Sequence, residues 1–158
     1  MQVIDIGAPT APVDEGDDDL PIRVRWPDAR AGETSHHRLR EGEDARAGFV
    51  DLGYDATTGA VVAITVVVTP ARAAVLPSPD VPAVAGTVRL RPQPWAAGRH
   101  TDEDAVLSIA TDAEVIYVGF AETSPVRFVT SGFAAFGLDA DDRLVGFRTR
   151  ALTRSGGR

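Results

Sequence analysis

His100 is followed closely by the acidic run Asp102-Glu103-Asp104, and a histidine within reach of a carboxylate is a common general acid–base arrangement. Trp95 stands a little upstream and would supply an aromatic wall. His100, Asp102, Glu103, Asp104 and Trp95 therefore make one candidate site, suited to a small ligand or to proton transfer. The other histidines, His36 and His37, are adjacent. On a strand they leave opposite faces, and the histidine spacings match no zinc site. The chain has no cysteine, which excludes thiolate metal sites and disulfides. It also lacks a Gly-x-Ser-x-Gly elbow, a phosphate-cradling glycine loop and a dinucleotide fingerprint. Neither a metal nor a cofactor is expected.

A second candidate site is basic. Arg148, Arg150 and Arg154 sit at the C-terminal end, and guanidinium groups recognise carboxylates through paired hydrogen bonds. They suit an acidic protein partner. A third cluster, Asp139-Ala140-Asp141-Asp142, invites a calcium loop, but that loop needs a glutamate at its twelfth position. Arg150 stands there. A solvated hairpin turn is the better reading of this acidic run.

The elements that would carry these residues are strands. Gly53 to Val66 and Gly137 to Arg150 align with a single deletion, each an incoming strand, an Asp-led turn and an outgoing apolar strand. Asp55 and Asp139 can accept hydrogen bonds from backbone N–H groups two residues on. Gly59 supplies the positive φ of a bulged hairpin loop. Asp141-Asp142 stand in its place in the second copy, and Asp tolerates the left-handed region. In the last strand, Val145, Phe147, Thr149 and Ala151 share one face, and Arg148 and Arg150 share the other.

Ile22 to Trp26 alternates, and so does Thr87 to Arg91, with Trp95 just beyond. Large aromatics at duplicated positions belong to a core more often than to a ligand platform. No segment keeps a 3.6-residue period. The predicted fold is all-β, or β-rich with a short helix, with internally duplicated sheet units packed as a sandwich or barrel. The expected organisation is an acidic, mobile leader at 1–20, a first β unit at 21–69 and a Pro-rich linker at 70–86. A second β unit at 87–153 and a basic tail at 154–158 follow.

Charge narrows the partners. The net charge is −7 over 158 residues, and the first twenty residues hold six acids and no base. This balance argues against nucleic acid. All 16 basic residues are Arg, and Lys and Asn are absent. A GC-rich genome accounts for that bias, so the arginine count itself carries no functional weight. No apolar run approaches the roughly 20 residues of a spanning helix, and the N-terminus lacks a secretory signal pattern. A cytoplasmic protein without membrane contact is expected.

The hairpin Gly137-Leu138-Asp139-Ala140-Asp141-Asp142-Arg143-Leu144-Val145-Gly146-Phe147 resembles the terminal G-x-D-x-D-G-x-L-V-G strand pair of small bacterial β-domains. Some of these stand beside polymorphic toxins as immunity proteins. The resemblance covers the hairpin alone and departs at Asp142, where the usual turn residue is Gly. It implies an immunity-type inhibitor and no catalytic residue. The expected function is thus a non-enzymatic protein-binding domain, with a homodimer allowed. A small enzyme or small-molecule-binding β-barrel is the alternative, and a structural subunit of an assembly is another.

Overall fold

Alternating apolar and polar residues, punctuated by Gly, Pro and Asp, fold this chain almost wholly into strands. A computed structural model describes residues 1–20, 22–43 and 45–151. The strands of its first half are β1 (Val3–Gly7), β2 (Val13–Asp14), β3 (Ile22–Arg25), β4 (Thr34–Arg40), β5 (Phe49–Asp55), β6 (Val61–Val68) and β7 (Ala83–Ala85). Those of the second are β8 (Thr87–Leu90), β9 (His100–Asp104), β10 (Ser108–Thr111), β11 (Val115–Gly119), β12 (Arg127–Ser131), β13 (Ala134–Leu138) and β14 (Leu144–Arg150). Only short 3-10 turns at Pro27–Ala29 and Pro94–Ala96 interrupt them among the described residues. The protein is all-β.

Both Asp-led turns close hairpins, β5–β6 and β13–β14. In the first, Asp55 Oδ1 accepts the N–H groups of Thr57 and Thr58, and Gly59 takes φ 75°. A Cβ on Gly59 would lie 1.9 Å from the Leu90 carbonyl oxygen, so the position needs glycine for space as well as for φ. In the second, Asp139 Oδ1 accepts the N–H groups of Asp141 and Arg143, and Asp142 takes the left-handed φ of 59°.

Two six-stranded sheets form, in the orders β2-β3-β6-β5-β4-β9 and β10-β11-β14-β13-β12-β7. β1 and β8 pair as a separate ribbon. The two orders repeat one plan: a short hairpin, then the long hairpin, then the strand before it, then a parallel strand at the far edge. Those parallel edge strands are exchanged between halves. β9, from the second half, lies beside β4 of the first sheet. β7 lies beside β12 of the second.

Composition therefore misplaces several boundaries. The segment expected to be a mobile leader is built into the fold, with β1 on β8 and β2 on β3. The reason is that Val3 reaches the core at 6% exposure, which outweighs the acids flanking it. The segment expected as a linker ends in β7, and its earlier part lies over the outside of the second sheet. There Leu76 and Val81 pack on Tyr117, Phe128 and Ala135. Within the second unit, the polar run His100–Asp104 becomes a strand of the first sheet. The basic tail at 154–158 lies outside the described residues.

The core sits between the inner faces of the sheets. Trp26 meets Phe136 and Phe147, with ring centroids 5.4 Å and 6.3 Å away. Val24, Leu52 and Ile64 from one sheet and Val118, Val129 and Leu138 from the other complete the cluster. The tryptophans part company here. Trp26 is buried at 2% exposure, whereas Trp95 is 73% exposed, because the chain after β8 turns outward at Pro94 and crosses to β9.

Candidate functional site

Alternation on β4 decides what the first sheet shows to the outside. Ser35 and Leu39 are buried, which sends His36, Arg38 and Arg40 to the opposite face. The register then lines up rows across the sheet. Arg23 of β3 faces Thr65 of β6, which pairs with Asp51 of β5, which pairs with Arg38, which pairs with Asp102 of β9. The next row runs Arg25, Ala63, Gly53, His36 and His100. A trough of small residues in the middle is thus flanked by Arg25 on one side and two imidazoles on the other.

Ion pairs tie this face into a mosaic. Arg25 Nη2 lies 2.6 Å from Glu15 Oε1, and Arg23 Nε lies 3.7 Å from Glu15 Oε2. His36 Nδ1 is 2.9 Å from Asp51 Oδ2, and Arg40 Nη2 is 3.3 Å from Asp102 Oδ2. Arg38 Nε is 4.0 Å from the other Asp51 oxygen, too far for a hydrogen bond. These arginines remain one-third to one-half exposed. At such exposure each pair contributes about 1 kcal/mol or less to stability.

The cluster expected around His100 is divided by the strand it lies on. His100 and Asp102 share the outer face, Asp102 holding Arg40. Glu103 points inward, where His37 Nε2 meets its Oε2 at 2.6 Å. Asp104 ends the strand, exposed. Trp95 stands on its own turn, which is pinned to β4 where Ser35 Oγ donates to the Ala96 carbonyl at 2.6 Å. The carboxylate expected to serve His100 serves His37 instead. His37, without Glu103, borders a cleft of about 220 Å³ lined also by Met1, Gln2, Tyr54, Leu90, Arg91 and Gln93. Burial raises the Tyr54 phenol, partly countered by its bond with Ser35.

The arginine stripe is also rearranged. Arg148 and Arg150 do leave β14 together, opposite Phe147. Their guanidinium groups stack on rings, Arg148 4.1 Å from the centroid of Phe128 and Arg150 4.5 Å from that of Phe133. Burial lowers the Arg148 guanidinium from its usual value. Such stacking is a cation–π contact, and it ties both side chains to their own sheet. Arg154 lies outside the described residues.

Beside them, residues 72–77 and 121–125 border a cleft of about 350 Å³ with Ser108 and Tyr117 in its lining. Burial pushes the Tyr117 phenol up to about 12. Its hydroxyl lies against the neighbouring strand, 3.5 Å from the Val145 carbonyl.

Sequence reasoning missed Arg23, Arg25, Arg38, Arg40 and Asp51, and it weighed His36 only as a zinc ligand. A signal was present in β4, where Ser35, His37 and Leu39 alternate with His36, Arg38 and Arg40. A polar strand of this kind hides among loop-like residues, because its inward face carries only one large apolar side chain. No known protein-family model matches the chain, and no curated protein matches it either.

Proposed function

We propose that this chain is a non-enzymatic protein-binding domain of the immunity-inhibitor type, which holds its partner on the outer face of the first sheet. The observation that carries this reading is the contrast between the two sheets. The outer face of the second is partly covered by its own chain, where Leu76 and Val81 pack on Tyr117, Phe128 and Ala135 and Arg148 and Arg150 stack on Phe128 and Phe133. The outer face of the first carries both signs of charge, half-exposed, around the small residues Gly53 and Ala63. Strands about 4.8 Å apart and 3.3 Å per residue make this face roughly 25 Å by 20 Å. That is the order of one side of a standard interface, about 800 Å². Mixed charges in fixed register give specificity and association rate more than raw affinity. The resemblance of the β13–β14 hairpin to immunity-type domains supports the same class of partner, another protein.

Reversing Arg23 and Arg38 together (Arg23→Glu with Arg38→Glu) tests this. The variant is expected to melt within about 1 kcal/mol of the parent and to lose partner capture from native lysate by tenfold or more. Arg150→Glu, on the other sheet, is the control and keeps capture. Equal capture by parent and double variant would sink the assignment of this face. Mass that rises with protein concentration and falls in the double variant would make the partner a second copy.

One observation favours a second reading. His37, held by Glu103, lines a cleft together with Tyr54, which fits a small-ligand site. His37→Ala separates the two, because it should abolish a ligand response in that cleft and leave partner capture unchanged.

A further inference from the structure

We propose that His36 and His100 together form a surface chelate for a divalent late transition metal of the zinc or copper class. They are far apart in sequence, and the parallel pairing of β4 with β9 sets them directly opposite each other. Residues so paired lie about 5 Å apart and point to the same face. Two contacts verify that alternation along these strands. Arg40 meets Asp102 on the outer face, and His37 meets Glu103 on the inner one.

One hydrogen bond, to Asp51 on the neighbouring strand β5, orients His36. Asp51 Oδ2 lies 2.9 Å from its Nδ1, and a carboxylate only accepts, so Nδ1 carries the proton. In the neutral ring this leaves Nε2 with its lone pair, free to bind an ion. A carboxylate holding the far nitrogen is how proteins orient and strengthen imidazole ligands. An ion takes each nitrogen at about 2.0–2.1 Å, and the pairing of β4 with β9 sets the two imidazoles side by side on one face.

The chemistry of the donors selects the metal. Two neutral imidazoles favour zinc, copper and nickel over calcium or magnesium, which take oxygen. The chain offers no competing thiolate and only three histidines, and the third, His37, is engaged by Glu103 on the other face. Among the described residues no group of three or more His, Asp or Glu gathers around one point. The chelate is therefore two-coordinate from the protein, and its remaining positions belong to water or to a donor brought by another molecule. This inference stands apart from the protein-binding reading, since the isolated chain suffices to test it.

The test is calorimetric titration of the full, untagged chain with zinc and with copper, magnesium serving as the control ion. One equivalent is expected to bind in the micromolar range. In histidine-ring NMR spectra with added zinc, the His36 and His100 signals should move and those of His37 should stay. His36→Ala and His100→Ala should each weaken binding tenfold or more, and His37→Ala should not. Asp51→Asn, which keeps both ligands, should weaken it by about tenfold through the lost orientation of His36. Failure to saturate with zinc or copper overturns the proposal. So does binding that survives both His36→Ala and His100→Ala, or that moves the His37 ring signals in the parent chain.

Discussion

Asp55→Ala is expected to destabilise the protein by about 3 kcal/mol, while Asp139→Ala in the matching turn costs about 1 kcal/mol. The two aspartates lead the same motif but hold different amounts of structure. Asp55 Oδ1 accepts the N–H groups of Thr57 and Thr58 at 3.0 Å and 2.8 Å. Its Oδ2 reaches out of the hairpin to the N–H groups of Ala31 and Gly32, the former at 2.7 Å. The carboxylate is 0% exposed. It therefore staples the β3–β4 connection to the β5–β6 turn. Asp139 accepts only from Asp141 and Arg143, within its own exposed turn, where water can replace it. Asp55→Asn is a sharper probe, because its amide donor would have to face either Ala31 and Gly32 or Thr57 and Thr58, all of which donate. Urea unfolding of the three variants measures the difference. Equal losses for Asp55→Ala and Asp139→Ala would refute the staple.

The same group gives a pH dependence with a definite sign. Burial by itself would raise the Asp55 carboxyl, but the backbone N–H groups of Thr58, Gly32, Ala31 and Thr57 outweigh it and leave the value lowered from 3.8. A carboxyl that is more acidic folded than unfolded stabilises the fold fully above its unfolded value. That contribution is lost as pH falls from 3.8 through the lower folded value. The gap between parent and Asp55→Ala is thus expected to be constant near neutrality and to shrink in acid below that point.

What the sequence reveals follows from how local each determinant is. Both hairpins are legible because Asp55, Gly59 and Asp139 act within a few residues of themselves. The Arg148 and Arg150 side of β14 is legible for the same reason, since alternation fixes it. Their stacking on Phe128 and Phe133 is not, because those rings arrive from β12 and the turn that follows it. β4 and β9 were hidden for a related reason. Neither has the composition of a strand: β4 is held as one by β5 on one side and β9 on the other, and β9 forms at the edge of the sheet against β4. The candidate face depends on that pairing, which brings His100 to His36 and Asp102 to Arg40. Trp95 shows the limit of reading a repeat. It follows β8 as Trp26 follows β3, yet the exchange of β9 to the other sheet carries it to the surface.

Deletion of residues 1–7 is expected to cost about 3–5 kcal/mol, a third or more of the stability of an ordinary domain. A lowering of the melting temperature by roughly 6–20 °C corresponds to this for a chain of such length. Composition alone predicts almost no effect, since the first twenty residues hold six acids and no base. The structure opposes that with three sets of contacts. β1 pairs with β8 through Val3 to Leu90 and Ile6 to Val88, and among the described residues no other strand joins that ribbon. Val3 enters the main core, with Met1 and Ile6 packed against it. Burying Val3 contributes about 1.5–3 kcal/mol, and Met1 and Ile6 add to it as partly buried neighbours. The start of the chain also clasps the second Asp turn. The Val3 N–H donates to the Asp142 carbonyl at 2.9 Å, and the Leu144 N–H donates to the Met1 carbonyl at 2.8 Å. Removing the segment uncovers Leu90 and frees the turn that aligns β13 with β14. The acids of the stretch do not oppose its docking, because Asp5 projects to the surface near Arg89, 3.8 Å from its Nη1. A truncated chain that melts within about 1 kcal/mol of the parent would show that β1 does not hold the ribbon in solution. A large loss that is reproduced by Val3→Asp alone would place the effect in the core contact, where the structure puts it.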